Sequence, residues 1–226
     1  MTTHAILLID TSSSPCQVAL SGQSLLTRFG QEQRQSAQNL LPMIAELAAE
    51  AKLALSALDA VAVMAGPGSF TGLRIGVGVA QALCMANKTP GITLSNLAAM
   101  ALSASQDSES DLFLVATAAR EGEVYFGAYA RDEKLGVRLV NAEQVAAPQA
   151  LLLPSELDGA TCVGTVWDTN AELLSLRERL TLAAVRSEAS IDLATMAILA
   201  SHYLNHGLSC EPVAIRPNYI KEQLDY

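Results

Sequence analysis

The stretch of this 226-residue chain best suited to holding a phosphate is AGPGSFTGLRIG (65–76), four glycines in twelve positions after the apolar run DAVAVM. Glycine-rich turns between a strand and a helix bring backbone N–H groups close to anions. Gly66, Gly68 and Gly72 are spaced G-x-G-x-x-x-G, one residue longer than the dinucleotide fingerprint. No acidic residue follows about twenty positions on, where Ile92 and its neighbours are uncharged. No Gly-Lys-Ser/Thr closes the turn, so a P-loop fails too. Asp10 ends the apolar run ILLID, with Thr11 and Ser12 directly after it. They suit an Asx turn that closes a strand, the other reading being a weak or shared ATP/ADP site. His202 and His206 share a helical face, but Tyr203 stands where a metalloprotease needs glutamate, so they read as helix C-terminal partners of the dipole. The four cysteines are scattered without a CxxC pair and read as reduced thiols, not a zinc knot or disulfide frame. No metal or resident cofactor is expected.

The elements that would position these residues follow from periodicity. HAILLID is a buried strand, and VAL begins a second that runs through SLLTRFG to make a hairpin. SAQNLLPMIAELAAEA (36–51) sets Leu40, Leu41, Ile44, Leu47, Ala48 and Ala51 on one helical face. DAVAVMA is a strand leading through the glycine loop into a helix over about 69–87, which Ser69 can cap. On that helix Gly72, Gly76, Ala80 and Leu83 share a face, with Ile75, Val79, Ala82 and Ala86 beside it and only Arg74 and Gln81 on a polar side. Glycines inside a helix cost it about 0.5–1 kcal/mol each relative to alanine, so a close neighbour must offset them. Such a helix is buried on two sides, either within the chain or against an outside partner.

Further along, TPGITL is a strand and Ser95 caps NLAAMALSAS. SASQDSESD (103–111) reads as a linker between an N-terminal half, 1–105, and a C-terminal half, 106–226. LFLVATAAR, EVYFGAYAR, VRLVNAEQVA and TCVGTV are strands of the second half. The helix at about 190–207 could pack back on the first half. The expected class is α/β, two halves each with a mixed sheet flanked by helices.

Half the residues are hydrophobic and 16% charged, which excludes a disordered chain. Net charge is −9 and aromatics make up 4%, so unaided nucleic-acid binding is disfavoured. No signal peptide and no bilayer-length apolar run is visible, which points to a cytoplasmic protein without a membrane role.

GPGSFTGLRIG, REGEVYFGAY (120–129) and LLPMI (40–44) together resemble the TsaB (YeaZ) family, bacterial relatives of TsaD, over the length from ILLIDTSS to IRPNYIKEQ. The resemblance implies an actin/Hsp70-like fold of two ribonuclease-H-like halves. It also implies a role in making N6-threonylcarbamoyladenosine beside the anticodon of tRNAs that read A-starting codons. There TsaD is catalytic, using threonylcarbamoyl-adenylate made by another enzyme, and the ATPase TsaE docks on the pair. The family member is a non-catalytic partner that meets tRNA only indirectly and pairs with itself when alone. On this view Leu40, Leu41, Ile44, Leu47, Gly72, Leu73, Ile75, Gly76, Val79, Ala80 and Leu83 bind the partner. Gly66, Pro67, Gly68, Ser69, Phe70, Thr71 and Arg74 form the loop that aims the helix. TsaD-type proteins carry a metal-binding His-x-x-x-His; Asn96 and Met100 stand at those positions here. Ala118 and Ser36 replace an Asp and a His common among relatives. Rival readings are a peptidase and an ATP-binding switch built on Asp10.

Overall fold

The computed structural model describes residues 4–30, 36–180, 182–186 and 191–220. In chain order, β1 (Ile6–Asp10), β2 (Gln17–Ser21) and β3 (Leu26–Phe29) precede α1 (Ser36–Ala51). Then come β4 (Ala60–Gly66), α2 (Phe70–Asn87), β5 (Gly91–Ser95) and α3 (Asn96–Gln106). β6 (Leu112–Ala118), β7 (Val124–Asp132), β8 (Gly136–Leu139), β9 (Gln144–Ala146) and β10 (Thr161–Val163) follow. The chain continues with α4 (Val166–Thr169), α5 (Ala171–Arg179), β11 (Ala183–Arg186) and α6 (Leu193–Asn205).

Two compact units result. One holds Met1–Asn96 with Asp192–Asn218, the other Leu97–Ile191 with Tyr219–Tyr226. The division therefore falls at the start of α3, not in the serine-rich stretch. That stretch is ordered structure: α3 runs through Gln106, and Arg131 of β7 donates to the carbonyls of Ser105 (3.1 Å), Ser108 (2.6 Å) and Ser110 (3.0 Å). A guanidinium with a fan of donors holds the turn that composition alone marks as a linker.

In the first unit the strand order is β3-β2-β1-β4-β5. Only β2 runs against the others, being antiparallel to β1 and β3 while β1, β4 and β5 are parallel. The single expected second strand is thus two, broken by the turn at 22–25. β1 and β4 are buried at every position, as central strands covered on both faces must be. Side chains from alternate positions, Leu7, Ile9, Val61 and Val63, join Leu40, Ile44 and Leu47 of α1 and Val77, Ala80 and Cys84 of α2 in one core. α6 packs on β1, β2 and β5.

The second unit repeats that order. β6 is central and antiparallel to β7, which pairs with β8 and β9, while β10 and β11 extend the sheet in parallel. Both units have the mixed, helix-flanked, ribonuclease-H-like arrangement. Trp167 is fully buried in this unit's own core and donates its Nε1–H to the Leu114 carbonyl at 3.0 Å. α5 and β11 were not legible in the sequence, and the run VRLVNAEQVA splits into β8 and β9.

Candidate partner-binding face and glycine loop

β4 ends at Gly66, whose φ of +121° only glycine adopts without strain. The Asn218 N–H donates to the Ala65 carbonyl at 2.7 Å, tying the C-terminal segment to this turn. Ser69 caps α2: its hydroxyl accepts from the Gly72 N–H at 3.2 Å. The Ser69 N–H itself donates to the Ser12 carbonyl at 2.8 Å, and the Leu73 N–H to the Ser69 carbonyl at 2.8 Å. These three loop and helix-start donors are engaged within the chain.

The β1 turn is closed in the same way. Asp10 is 1% exposed, and its Oδ1 accepts from the Ser12 N–H (2.8 Å) and hydroxyl (2.6 Å) while Oδ2 accepts from Gln17 Nε2 (2.9 Å). Asn96 Nδ2 donates to Ser12 Oγ at 2.6 Å. Thr11 Oγ1 donates to the Gly72 carbonyl at 2.7 Å. Asp10 here is the acceptor of an Asx turn, linked through Ser12 to Asn96.

This packing corrects the reading of the small-residue stripe. A methyl group at Gly72 would lie 1.9 Å from the Thr11 carbonyl oxygen, and one at Gly76 would lie 2.3 Å from Thr11 Oγ1. The close neighbour that needs these glycines is the chain's own β1 turn. Leu40, Ile44, Leu47, Leu73, Gly76 and Ala80 are buried within the same unit, so they support the helices from beneath and cannot form a free surface. Pro67 is buried as well.

What α1 and α2 present outward is different. On α2 the exposed positions are Phe70, Thr71, Arg74, Gly78, Ala82, Met85 and Ala86, with Ile75, Val79 and Leu83 half-buried at the margins. Thr71, Ile75, Gly78, Ala82 and Met85 follow alternating steps of four and three, the spacing of a helix–helix seam. Nothing lies within 4 Å of a methyl added at Gly78. Met85 is 63% and Phe70 56% exposed, and the Arg74 guanidinium lies 3.8 Å over the Phe70 ring. On α1, Leu41, Ala45 and Ala49 are exposed at four-residue steps. Arg28 of β3 fastens α1 by ion pairs to Glu46 and Glu50. Gly78 and Met85 were missed in the sequence, although the four-three spacing was there to be counted.

Among the described residues no three His, Cys, Asp or Glu side chains gather as a metal site. Asn96 and Met100 are both buried. His206 closes α6, its Nδ1 2.8 Å from the His202 carbonyl. No described helix is long and apolar enough to cross a membrane.

Fold and site define a two-unit α/β protein whose glycine loop is bonded to its own β1 turn and whose paired helices turn an apolar face outward. The family described as TsaD, tRNA N6-adenosine threonylcarbamoyltransferase, matches residues 22–220. The chain is 34% identical over 222 residues to the tRNA threonylcarbamoyladenosine biosynthesis protein TsaB of Haemophilus influenzae, covering 93% of each. It belongs to the TsaB (YeaZ) family of tRNA threonylcarbamoyladenosine biosynthesis proteins, within the TsaD group. TsaB of Escherichia coli is 36% identical over 171 residues, 74% of each chain. The solved structure of YeaZ from Pseudomonas aeruginosa superimposes with a TM-score of 0.79 at 32% identity, over 97% of this chain and 100% of that one.

Proposed function

We propose that this protein is a non-catalytic, cytoplasmic subunit of the tRNA threonylcarbamoyladenosine machinery. It offers the outer faces of α1 and α2 to TsaD, and the pair carries TsaE. In the absence of TsaD the same face pairs with a second copy. The observation that carries this reading is the open, small-residue seam centred on Gly78 and Ala82, with Met85 exposed on the same helix and Leu41 exposed on α1. A helix stripe of that kind lets another backbone approach closely, and such contacts sum to useful dispersion energy. The net charge of −9 fits a subunit that leaves tRNA phosphates to its partner. A nucleotide would enter only weakly or as a shared ligand, because Asp10, Ser12 and Ser69 already bond to one another.

Co-expression with the cognate TsaD tests this. Wild-type protein is expected to co-purify, while Gly78→Arg abolishes the complex and leaves the monomer folded. Absence of a wild-type complex at micromolar concentration, or a Gly78→Arg complex of unchanged affinity, overturns the reading.

A further inference from the structure

A second feature of the first unit lies away from that seam. Beyond α6 the chain crosses back over β5 and α2 as a strap that ends at the glycine loop. Cys210 and Gly91 exchange both backbone hydrogen bonds, at 2.9 and 2.8 Å, in an isolated antiparallel bridge. Further on, Gln81 of α2 donates to the Ile215 carbonyl at 2.8 Å, and Ile215 is fully buried with its Cδ1 in the space a Gly91 side chain would take. Residues directly opposite in an antiparallel pair send their side chains to the same face. The Cys210 thiol therefore leaves the bridge on the side where a Gly91 Cβ would stand. Cys84 Sγ of α2 lies 3.6 Å from that same Cβ position. Cys84 belongs to the core that Cys210 packs against, and both are free thiols. Both cysteines thus lie on the side of Gly91 where its side chain would stand, at the edge of the hollow that Ile215 fills, and near enough that, beyond burial, Cys210 also raises the Cys84 thiol.

We propose that Cys84 and Cys210 form a dithiol that a small-molecule disulfide oxidises to an intrachain bond, stapling the C-terminal strap to α2. Cys210, the half-buried and reachable partner, loses its proton and attacks one sulfur of the oxidant, breaking its S–S bond. One small thiolate leaves and takes up a proton. The Cys84 thiolate then attacks Cys210 Sγ in the mixed disulfide and displaces the second small thiol. Two protein thiols become one disulfide, and the oxidant is reduced to two thiols. Burial pushes both protein thiols up, Cys84 to about 11, so the exchange is slow at neutral pH and accelerates as pH rises. The bond would hold the strap on the helix that carries the seam.

Incubating the folded protein with oxidised glutathione at mildly alkaline pH tests the pair. Thiols titrated in denaturant should fall by two from the four in the chain, and a tryptic digest should contain one linked species joining the Cys84 and Cys210 peptides. Reductant should restore all four. Cys84→Ser and Cys210→Ser should each lose the link, whereas Cys16→Ser and Cys162→Ser keep it. Glutathione retained on Cys210 as a mixed disulfide, or a link between any other two cysteines, overturns the proposal.

Discussion

Gly72 and Gly78 stand on the same helix and meet opposite surroundings. At Gly72 a side chain has nowhere to go, because the Thr11 carbonyl is 1.9 Å from where a methyl would sit and is backbone that cannot swing aside. Gly72→Ala should destabilise the isolated protein at the upper end of the roughly 1–3 kcal/mol of an overpacked core, read as a lowered urea midpoint. At Gly78 the space is open and the residue only weakens the helix. Gly78→Ala should therefore raise the stability of the isolated chain by about 0.5–1 kcal/mol, in the same urea titration. The opposite signs separate a glycine required by the fold from one whose missing side chain no part of the described chain needs. A fall in midpoint for Gly78→Ala would mean the helix face is covered after all.

At the scale of elements, α2 is held by more than its own core. Ile215 fills the hollow at Gly91 and is fully buried, and Gln81 reaches the strap's backbone. Ile215→Ala should cost about 2–5 kcal/mol by removing the buried side chain and leaving a cavity, measurable by thermal or urea unfolding. Helix existence was legible: the period of 36–51 and of the segment after the glycine loop marks α1 and α2 closely, and the Ser69 cap is where its residue type places it. The inward and outward faces of α2 were not legible. A helical wheel sorts residues into stripes but carries no information on which stripe the rest of the chain covers. The covering group is Thr11, 61 positions before Gly72, and its hydrogen bond to the Gly72 carbonyl is invisible to any local pattern. The same limit hid the order of 103–111, the end of α3 and the turn after it, whose small polar composition says linker while Arg131, a strand away, donates hydrogen bonds to it.

Over the whole molecule, each unit has its own core and each core buries a thiol. Cys84 in the first is pushed up to about 11 and Cys162 in the second to about 12, in both cases first by loss of hydration around the charged form. Folding therefore holds these protons more tightly than the unfolded chain, whose thiols titrate near the ordinary value of 9.0. The sign follows by linkage: the neutral-thiol contribution is fully present below pH 9 and is lost as pH rises through the folded values, because the unfolded state then binds fewer protons. Substitution isolates the thiol share. Urea midpoints measured from neutral pH up to about 11 should decline above 9 in the wild-type protein, with a shallower decline when Cys84 and Cys162 are both alanine. The double variant starts from a lower midpoint, since two buried side chains have been trimmed, so the slope and not the height carries the result. Identical slopes would mean that the thiols are hydrated in the native state, and that the two cores are less closed than their buried strands imply.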